Sequence, residues 1–509
     1  MNMKTVGGNP FRIARPSRAQ RFWLRDWLPG ACAMLGAAIF AMGFSSSAWA
    51  KPSGPLATTV WVANGGAFNA GSLETFAGGT KKNTKPLYRN IGPETLLQSF
   101  PGSPFFGTAP TGVAITFDSP HHVSVVGELV NAVLTFTDTA NGDTPPETVL
   151  FGPDTGLGLP AGDTYGLGPF FLRDTQQGLI FPFSELYVTN IASGFDGNGA
   201  VTEYPEGANG DRTPDEAIGG DAAVTFMAEP VGVYVDSTTF DACFGLEPTA
   251  TDLCNNESGQ DEIVSIPTRR IWVVQRFLGL VTLYVPEVAC FLSPYNPGAS
   301  PPVPGFCPGQ SLNVALPSYV AQQPPLGGVF PTTVDGEFPP VVGGSSTDPT
   351  EPNFLAVQQY AQFPEVYITD LLGGFHNHGR IKFFYTIPID QCLATTETTA
   401  GTMCTVAIRG GLYGLPDGTI EGKKANLKKP MGIAAQPLAV PVAAGQSSEY
   451  IDNLFVTNVD RNSIVQFSST ERGNVRPDAF IQGRRTKMNQ PTGIAVPPEL
   501  LISTTQQKP

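Results

Sequence analysis

Short apolar runs recur along this chain at wide intervals, and most end on Asn, Asp or a turn residue. Near the C-terminus, Leu454-Phe455-Val456-Thr457-Asn458 leads to Ser463-Ile464-Val465-Gln466-Phe467, then to Gly473-Asn474, Pro477 and Ile481-Gln482-Gly483. The series closes on Gln490-Pro491-Thr492-Gly493-Ile494-Ala495-Val496. The same order runs from Leu186-Tyr187-Val188-Thr189-Asn190 through Ala200-Val201-Thr202-Glu203-Tyr204 to Pro230-Val231-Gly232-Val233-Tyr234-Val235. A third copy begins at Val60-Trp61-Val62-Ala63-Asn64 and ends at Pro110-Thr111-Gly112-Val113-Ala114-Ile115. A fourth begins at Val366-Tyr367-Ile368-Thr369-Asp370 and ends at Pro430-Met431-Gly432-Ile433-Ala434. Weaker copies stand at Val123-Ser124-Val125-Val126 and Ile271-Trp272-Val273-Val274-Gln275. Runs of β-branched and aromatic residues bounded by Gly, Pro, Asn and Asp predict short strands. No copy holds a long segment of helical period. Unit starts near 60, 123, 186, 271, 366 and 454 predict six repeats of one strand-rich unit.

One such unit cannot bury its apolar faces alone, but several arranged radially can. The order "apolar-Tyr-Val-Ala/Thr-Asn/Asp … Ile-x-x-Phe … Gly … Pro-x-Gly-Ile-Ala-Val" resembles the NHL repeat over most of residues 58–500. That resemblance implies an all-β, six-bladed β-propeller. In it the Pro-x-Gly segment is the innermost strand of a blade, the segment ending on Asn is second, and the Ile-x-x-Phe segment is third. The repeats open on a second strand at Val60 and finish on an innermost strand at Gly493, so the two ends are expected to share one blade. The Pro- and Gly-rich stretch from Pro294 to Pro352 also suits a linker between two β-domains. Resumption of the repeat at Val366 favours an insertion within the fourth blade. Insertions are expected at about 237–270 and 286–352, with a lead at 51–57 and a tail at 501–509.

The first fifty residues have another character. Arg12, Arg15, Arg18, Arg21 and Arg25 precede an apolar run from Leu28 to Phe44, followed by Ala48-Trp49-Ala50. A basic segment, an apolar segment and an A-x-A site predict a signal peptide over 1–50. The apolar run is at the short edge of what spans a bilayer, so no stable membrane span is expected after cleavage. The expected location is periplasmic or extracellular. The net charge is −14, and it becomes more negative once the basic leader is removed. An acidic surface repels phosphate backbones, which argues against a nucleic-acid partner. Gly and Pro together make about a fifth of the chain, as suits many strands joined by turns. Outside the leader stand Cys243, Cys254, Cys290, Cys307, Cys392 and Cys404. An even count in an exported chain predicts disulfides, and the spacing groups the six as three local pairs. No C-x-x-C pair suggests zinc.

Chemistry is harder to place. Asn64, Asn190, Asp370 and Asn458 recur after the second strand, as candidates for one face or for the channel. They suit a ring of metal ligands, as in propeller lactonases and lyases that resemble this fold. They also suit side chains that cap the next turn, and recurrence in blade after blade favours that reading. Two matched loops depart from the repeat: Gly194-Phe195-Asp196-Gly197-Asn198-Gly199 and Gly374-Phe375-His376-Asn377-His378-Gly379. His376 falls on Asp196 and His378 on Asn198. An H-x-H pair can bind a metal, so these four are the candidate ligands for a divalent ion such as calcium. The other two histidines are His121 and His122. No G-x-S-x-G, H-E-x-x-H or P-loop is present. The sequence therefore favours a non-enzymatic binding or protein-interaction scaffold for an unspecified protein or small molecule. A metal-dependent lactonase or lyase, and a structural component of the cell envelope, are the alternatives.

Overall fold

The structure is a computed structural model. It describes residues 59–65, 71–98, 110–117, 120–167, 184–192, 197, 199–219, 227–244, 262–276, 280–284, 352–358, 365–386, 408–409, 418–440, 449–497 and 501–502. The expected signal peptide, most of the insertions and five of the six cysteines outside it lie beyond these residues. Cys243 is described in its backbone alone.

Six small antiparallel sheets form a ring, a six-bladed β-propeller. Blade 1 contains Pro491–Ala495, Thr59–Asn64, Ser72–Ala77 and Tyr88–Asn90, in that order from the centre outward. Blade 2 runs Pro110–Ile115, His122–Gly127, Ala132–Thr137, Thr148–Phe151. Blade 3 runs Pro160–Leu167, Ser184–Asn190, Ala200–Pro205, Glu216–Gly219. Blade 4 has Pro230–Phe244, Glu262–Gln275 and Leu280–Tyr284. Blade 5 has Pro352–Val357, Glu365–Asp370 and Arg380–Thr386, with Ile408–Arg409 and Gly418–Ile420 both outside the last. Blade 6 has Pro430–Val440, Glu449–Asn458, Ser463–Ser468 and Ala479–Gln482.

Each innermost strand opens on a proline paired with the last residue of the second strand: Pro110 with Gly127, Pro160 with Asn190, Pro230 with Gln275, Pro352 with Asp370, Pro430 with Asn458 and Pro491 with Asn64. Proline donates no ladder hydrogen bond and is tolerated at a strand's first residue. A register shift follows at every one of these prolines. The prolines mark one face of the ring, the proline face. In five of the six, glycine two residues on lets neighbouring innermost strands close in. A Cβ at Gly162 would stand 2.4 Å from the Val231 carbonyl oxygen, and one at Gly432 2.4 Å from that of Thr492.

Apolar cores lie between blades. Trp61 and Leu73 of blade 1 pack with Val123, Val125 and Phe136 of blade 2. Tyr367 and Phe383 of blade 5 pack with Leu454, Val456 and Phe467 of blade 6. Burying one such side chain contributes about 1.5–3 kcal/mol, so the seams hold the ring together.

The ring closes as the complementary ends imply. Pro491–Ala495 hydrogen-bonds to Thr59–Asn64. The Thr492 hydroxyl donates to the carbonyl oxygens of Ala63 at 3.2 Å and Pro110 at 2.6 Å. A second clasp lies at the rim, where Lys82 N–H donates to Phe480 O at 2.6 Å and Arg485 N–H to Asn83 Oδ1 at 2.6 Å. Among the described residues no helix is long and apolar enough to cross a membrane.

Two hairpins outgrow their blades. The Pro230–Phe244 and Glu262–Gln275 ladder continues nine pairs beyond Val235, so the region expected as an insertion from 237 begins as an extension of blade 4. In blade 6, Leu501–Ile502 adds in parallel to Leu438 and Ala439 of the innermost strand.

Candidate functional site

The four recurring Asn and Asp side chains are all 0% exposed. Each asparagine bonds in two directions. Asn64 Oδ1 accepts from Asn489 N–H at 3.1 Å, Asn190 Oδ1 from Gly158 N–H at 3.2 Å, and Asn458 Oδ1 from Lys428 N–H at 3.0 Å. Each donor lies two residues before the proline of its blade. The amide nitrogens donate across to the third strand: Asn64 to Ser72, Asn190 to Thr202, Asn458 to Ser463. The asparagines thus hold the approach to the innermost strand rather than the turn that follows them. Asp370 does bond its own turn, from Gly373 N–H at 3.2 Å. Its other oxygen takes Arg380 Nε at 3.0 Å and Lys382 Nζ at 3.4 Å. A carboxylate replaces the amide here, and two cations on the third strand neutralise it.

Gln275 does the same work in blade 4, where the repeat is weak. Its Oε1 accepts from Ala228 N–H at 2.9 Å and its Nε2 donates to Thr282 at 3.1 Å. The sequence carries this signal, because Gln275 closes its strand where Asn64, Asn190 and Asn458 close theirs.

The loop at 374–379 lies on the proline face, since Lys429 N–H, just before Pro430, donates to His378 O at 2.8 Å. Asn131 and Asn462 hold the same place in blades 2 and 6, accepting from Leu159 and Gln490 through their side chains. His376 is exposed, and its ring centroid stands 6.2 Å from that of His378. Asp196 and Asn198 lie outside the described residues. His122 begins the second strand of blade 2 and His121 precedes it, at the far end from this face. His121 Nδ1 contacts Thr116 O at 2.9 Å, and His122 Nδ1 contacts Glu147 at 2.8 Å. The four histidines therefore form two separate pairs. Among the described residues no three His, Cys, Asp or Glu side chains group closely enough to hold a metal ion.

The innermost strands enclose a central cavity of about 100 Å³. Its wall is mostly aliphatic, with Val113, Val233, Leu355, Ile433 and Ile494 at one recurring position. Blade 3 breaks that rule with Asp163. The break is legible in Pro160-Ala161-Gly162-Asp163, where a carboxyl stands at a position the other blades fill with Val, Leu or Ile, away from the hairpin loops that depart from the repeat. Burial pushes the Asp163 carboxyl up to about 7, against the hydrogen bond from Ser124. Its Oδ1 is buried without a hydrogen-bond partner among the described residues. Ser124 is itself a departure, in the position that other blades fill with Trp61, Tyr187, Trp272, Tyr367 and Phe455. Tyr165, two residues after Asp163, is tied to Thr135 and Ser124. Blade 5 departs at the glycine position. Phe354 stands there, its ring edge 3.2 Å from where a Cβ on Gly162 would be, so it reaches across the channel to blade 3.

Polar bridges cross four seams at the same second-strand position. Trp61 Nε1 donates to Asp138 O at 3.3 Å, Ser124 to Asp163 at 2.5 Å, and the Tyr367 hydroxyl to Asp452 at 2.7 Å. In the fourth case Tyr187 receives Arg269 at 2.9 Å. Arg269 is 1% exposed and also binds Glu203 at 2.5 Å and Glu216 at 2.8 Å. Burial raises Glu203 to about 8, against the pull of Arg269.

No protein-family model matches the chain, and no curated protein does. Solved structures similar to it include a streptogramin B lyase, at 11% identity over 88% of this chain and 89% of that one, with a TM-score of 0.31. The periplasmic gluconolactonase of Pseudomonas aeruginosa is 12% identical over 81% of this chain and 78% of its own, with a TM-score of 0.30. An auxiliary nutrient binding protein from Bacteroides thetaiotaomicron is 11% identical over 88% and 90%, with a TM-score of 0.32. Likenesses of this depth carry no chemistry across.

Proposed function

We propose that this chain is an exported, NHL-like β-propeller that acts as a binding or interaction scaffold. One observation supports the reading above the others. The polar side chains that the repeat brings to the proline face are committed to the framework, with Asn64, Asn190, Gln275 and Asn458 all holding backbone amides of their own blades. Four loops that join blades on that face keep one backbone and vary in side chains, which is how a rigid scaffold presents a recognition surface. Export rests on the leader at 1–50 and on the even cysteine count, with pairing of Cys243 with Cys254, Cys290 with Cys307 and Cys392 with Cys404.

The test uses the mature protein recovered from the envelope fraction. N-terminal sequencing should begin at Lys51, and non-reducing mass analysis should find no free thiol. Elemental analysis, run beside a lactone-hydrolysis assay, decides between scaffold and enzyme. A stoichiometric divalent ion, with turnover abolished by His376→Ala/His378→Ala, would replace the scaffold by the metal-dependent reading.

A further inference from the structure

Among the described residues, four seams share one loop motif on the proline face, joining the outermost strand of one blade to the innermost strand of the next. In each, a glycine of positive φ comes first: Gly92, Gly152, Gly422 and Gly483, with φ of 143°, 142°, 100° and 126°. The amide two residues on is capped from the adjoining blade: Glu94 by Asp143, Asp154 by Asp211, Lys424 by Asn474 and Arg485 by Asn83, at 2.7, 2.7, 2.7 and 2.6 Å. The backbone is therefore the same four times. The side chains are not. The two exposed positions after the glycine are Pro93-Glu94 and Pro153-Asp154 at two seams, but Lys423-Lys424 and Arg484-Arg485 at the 5–6 and 6–1 seams.

Folding does not require those cations, because the same loop forms with Pro-Glu and Pro-Asp. The cap changes with them. Asp143 and Asp211 serve the acidic loops, and the amides Asn474 and Asn83 serve the basic ones. A carboxylate that would neutralise the cations is thus replaced where they occur. Lys423, Lys424, Arg484 and Arg485 form no ion pair among the described residues, whereas Lys428 and Lys429 are paired with Asp460. The rim loop of the closing seam adds exposed Lys81, Lys82 and Lys85, running beside Phe480–Gln482. In a chain of net charge −14, this sector is a local positive field.

We propose that this sector binds a linear acidic polysaccharide, an inference that rests on the scaffold reading. A flat anionic membrane laid on the proline face would also meet Glu94 and Asp154, which repel it, while a chain following the 5–6 and 6–1 seams avoids them. Next to the rim lysines, Leu87 and Tyr88 are 56% and 36% exposed. They offer an apolar surface to sugar rings, with carboxylates of the polymer meeting the cations.

The experiment measures binding of the full chain to polygalacturonate, with dextran, phosphatidylglycerol vesicles and single-stranded DNA as comparisons. Saturable binding to polygalacturonate at 20 mM salt is expected, weakening at least about tenfold at 300 mM as screening demands. The decisive variant gives the basic loops the residues of the 2–3 seam: Lys423→Pro/Lys424→Asp with Arg484→Pro/Arg485→Asp. It should melt like the parent and lose at least about tenfold in affinity, as should the four-fold Gln variant at the same positions. Unchanged affinity in both variants, or tighter binding to vesicles or DNA, overturns the inference and leaves the scaffold reading standing. Cleavage of the polymer would instead overturn the scaffold reading while the charged sector stands.

Discussion

The Ser124 hydroxyl donates to Asp163 Oδ2 at 2.5 Å across the seam of blades 2 and 3. Both residues sit where the other blades place apolar side chains, so two departures from the repeat meet each other. The smaller Ser124 makes room, and the carboxyl enters a wall that is otherwise aliphatic. Keeping that carboxyl neutral avoids the cost of a buried charge.

Stability should therefore fall with rising pH. The folded-state pKa of Asp163 is raised from 3.8 to about 7, so the proton is held more tightly in the folded protein. The stabilisation is full below about pH 4 and is lost as pH climbs through 7, at up to roughly 1.4 kcal/mol per pH unit. Glu74 and Asp452 at about 7, and Glu203 at about 8, add slopes of the same sign. Asp163→Asn should make the decline between pH 4 and 7 shallower, measured by urea midpoints. Parallel pH profiles for variant and parent would count against a neutral carboxyl.

Arg269→Ala should be among the most damaging single changes. It leaves the Glu216 carboxylate and the Glu203 carboxyl without their cation in a buried seam, at a cost of about 3–5 kcal/mol. Adding Glu216→Gln should restore part of the loss, since the neutral amide removes the stranded charge. Equilibrium denaturation of the two variants gives the comparison.

Asn458→Ala should cost about 1–3 kcal/mol by leaving the Lys428 amide without its acceptor. Hydrogen exchange at that amide should quicken. Gln275→Ala should do the same at Ala228. If neither amide changes, these side chains do not hold the strand approaches.

Gly493→Ala should destabilise the seam between blades 1 and 2 by at least about 2 kcal/mol, because its Cβ would stand 2.7 Å from backbone atoms of Gly112 and Val113. Gly473→Ala makes a useful control. It meets nothing within 4 Å, and only its positive φ of 76° resists the methyl group, for about 1 kcal/mol. Thermal melts that rank the two the other way would show that the ring has slack at its centre.

Blade count, strand order and the shared first blade were legible because each rests on a local pattern repeated six times. Val60, Gly493 and the Pro-x-Gly segments carry that information in their own neighbourhoods. The asparagines were only half legible. Their recurrence points to a framework role, but the amides that donate to them lie just before an innermost strand, which for Asn64 and Asn489 is brought in by ring closure. Arg269 with Glu203, and Ser124 with Asp163, are pairings between blades, and no local spacing encodes them. The basic loops needed the structure for a different reason. Lys423-Lys424 and Arg484-Arg485 look like ordinary solvated charge until the same backbone is seen with acids on it.

The shared blade also has a consequence for biosynthesis. Thr59–Asn64 is made near the start of the chain, and the strand that completes its sheet, Pro491–Ala495, is made near the end. A chain interrupted anywhere between them cannot finish its first blade and exposes a bare strand edge and an open apolar seam. Such edges invite aggregation and proteolysis. Closure thus acts as a completeness check, and the molecule becomes resistant to degradation as one of its last acts of folding.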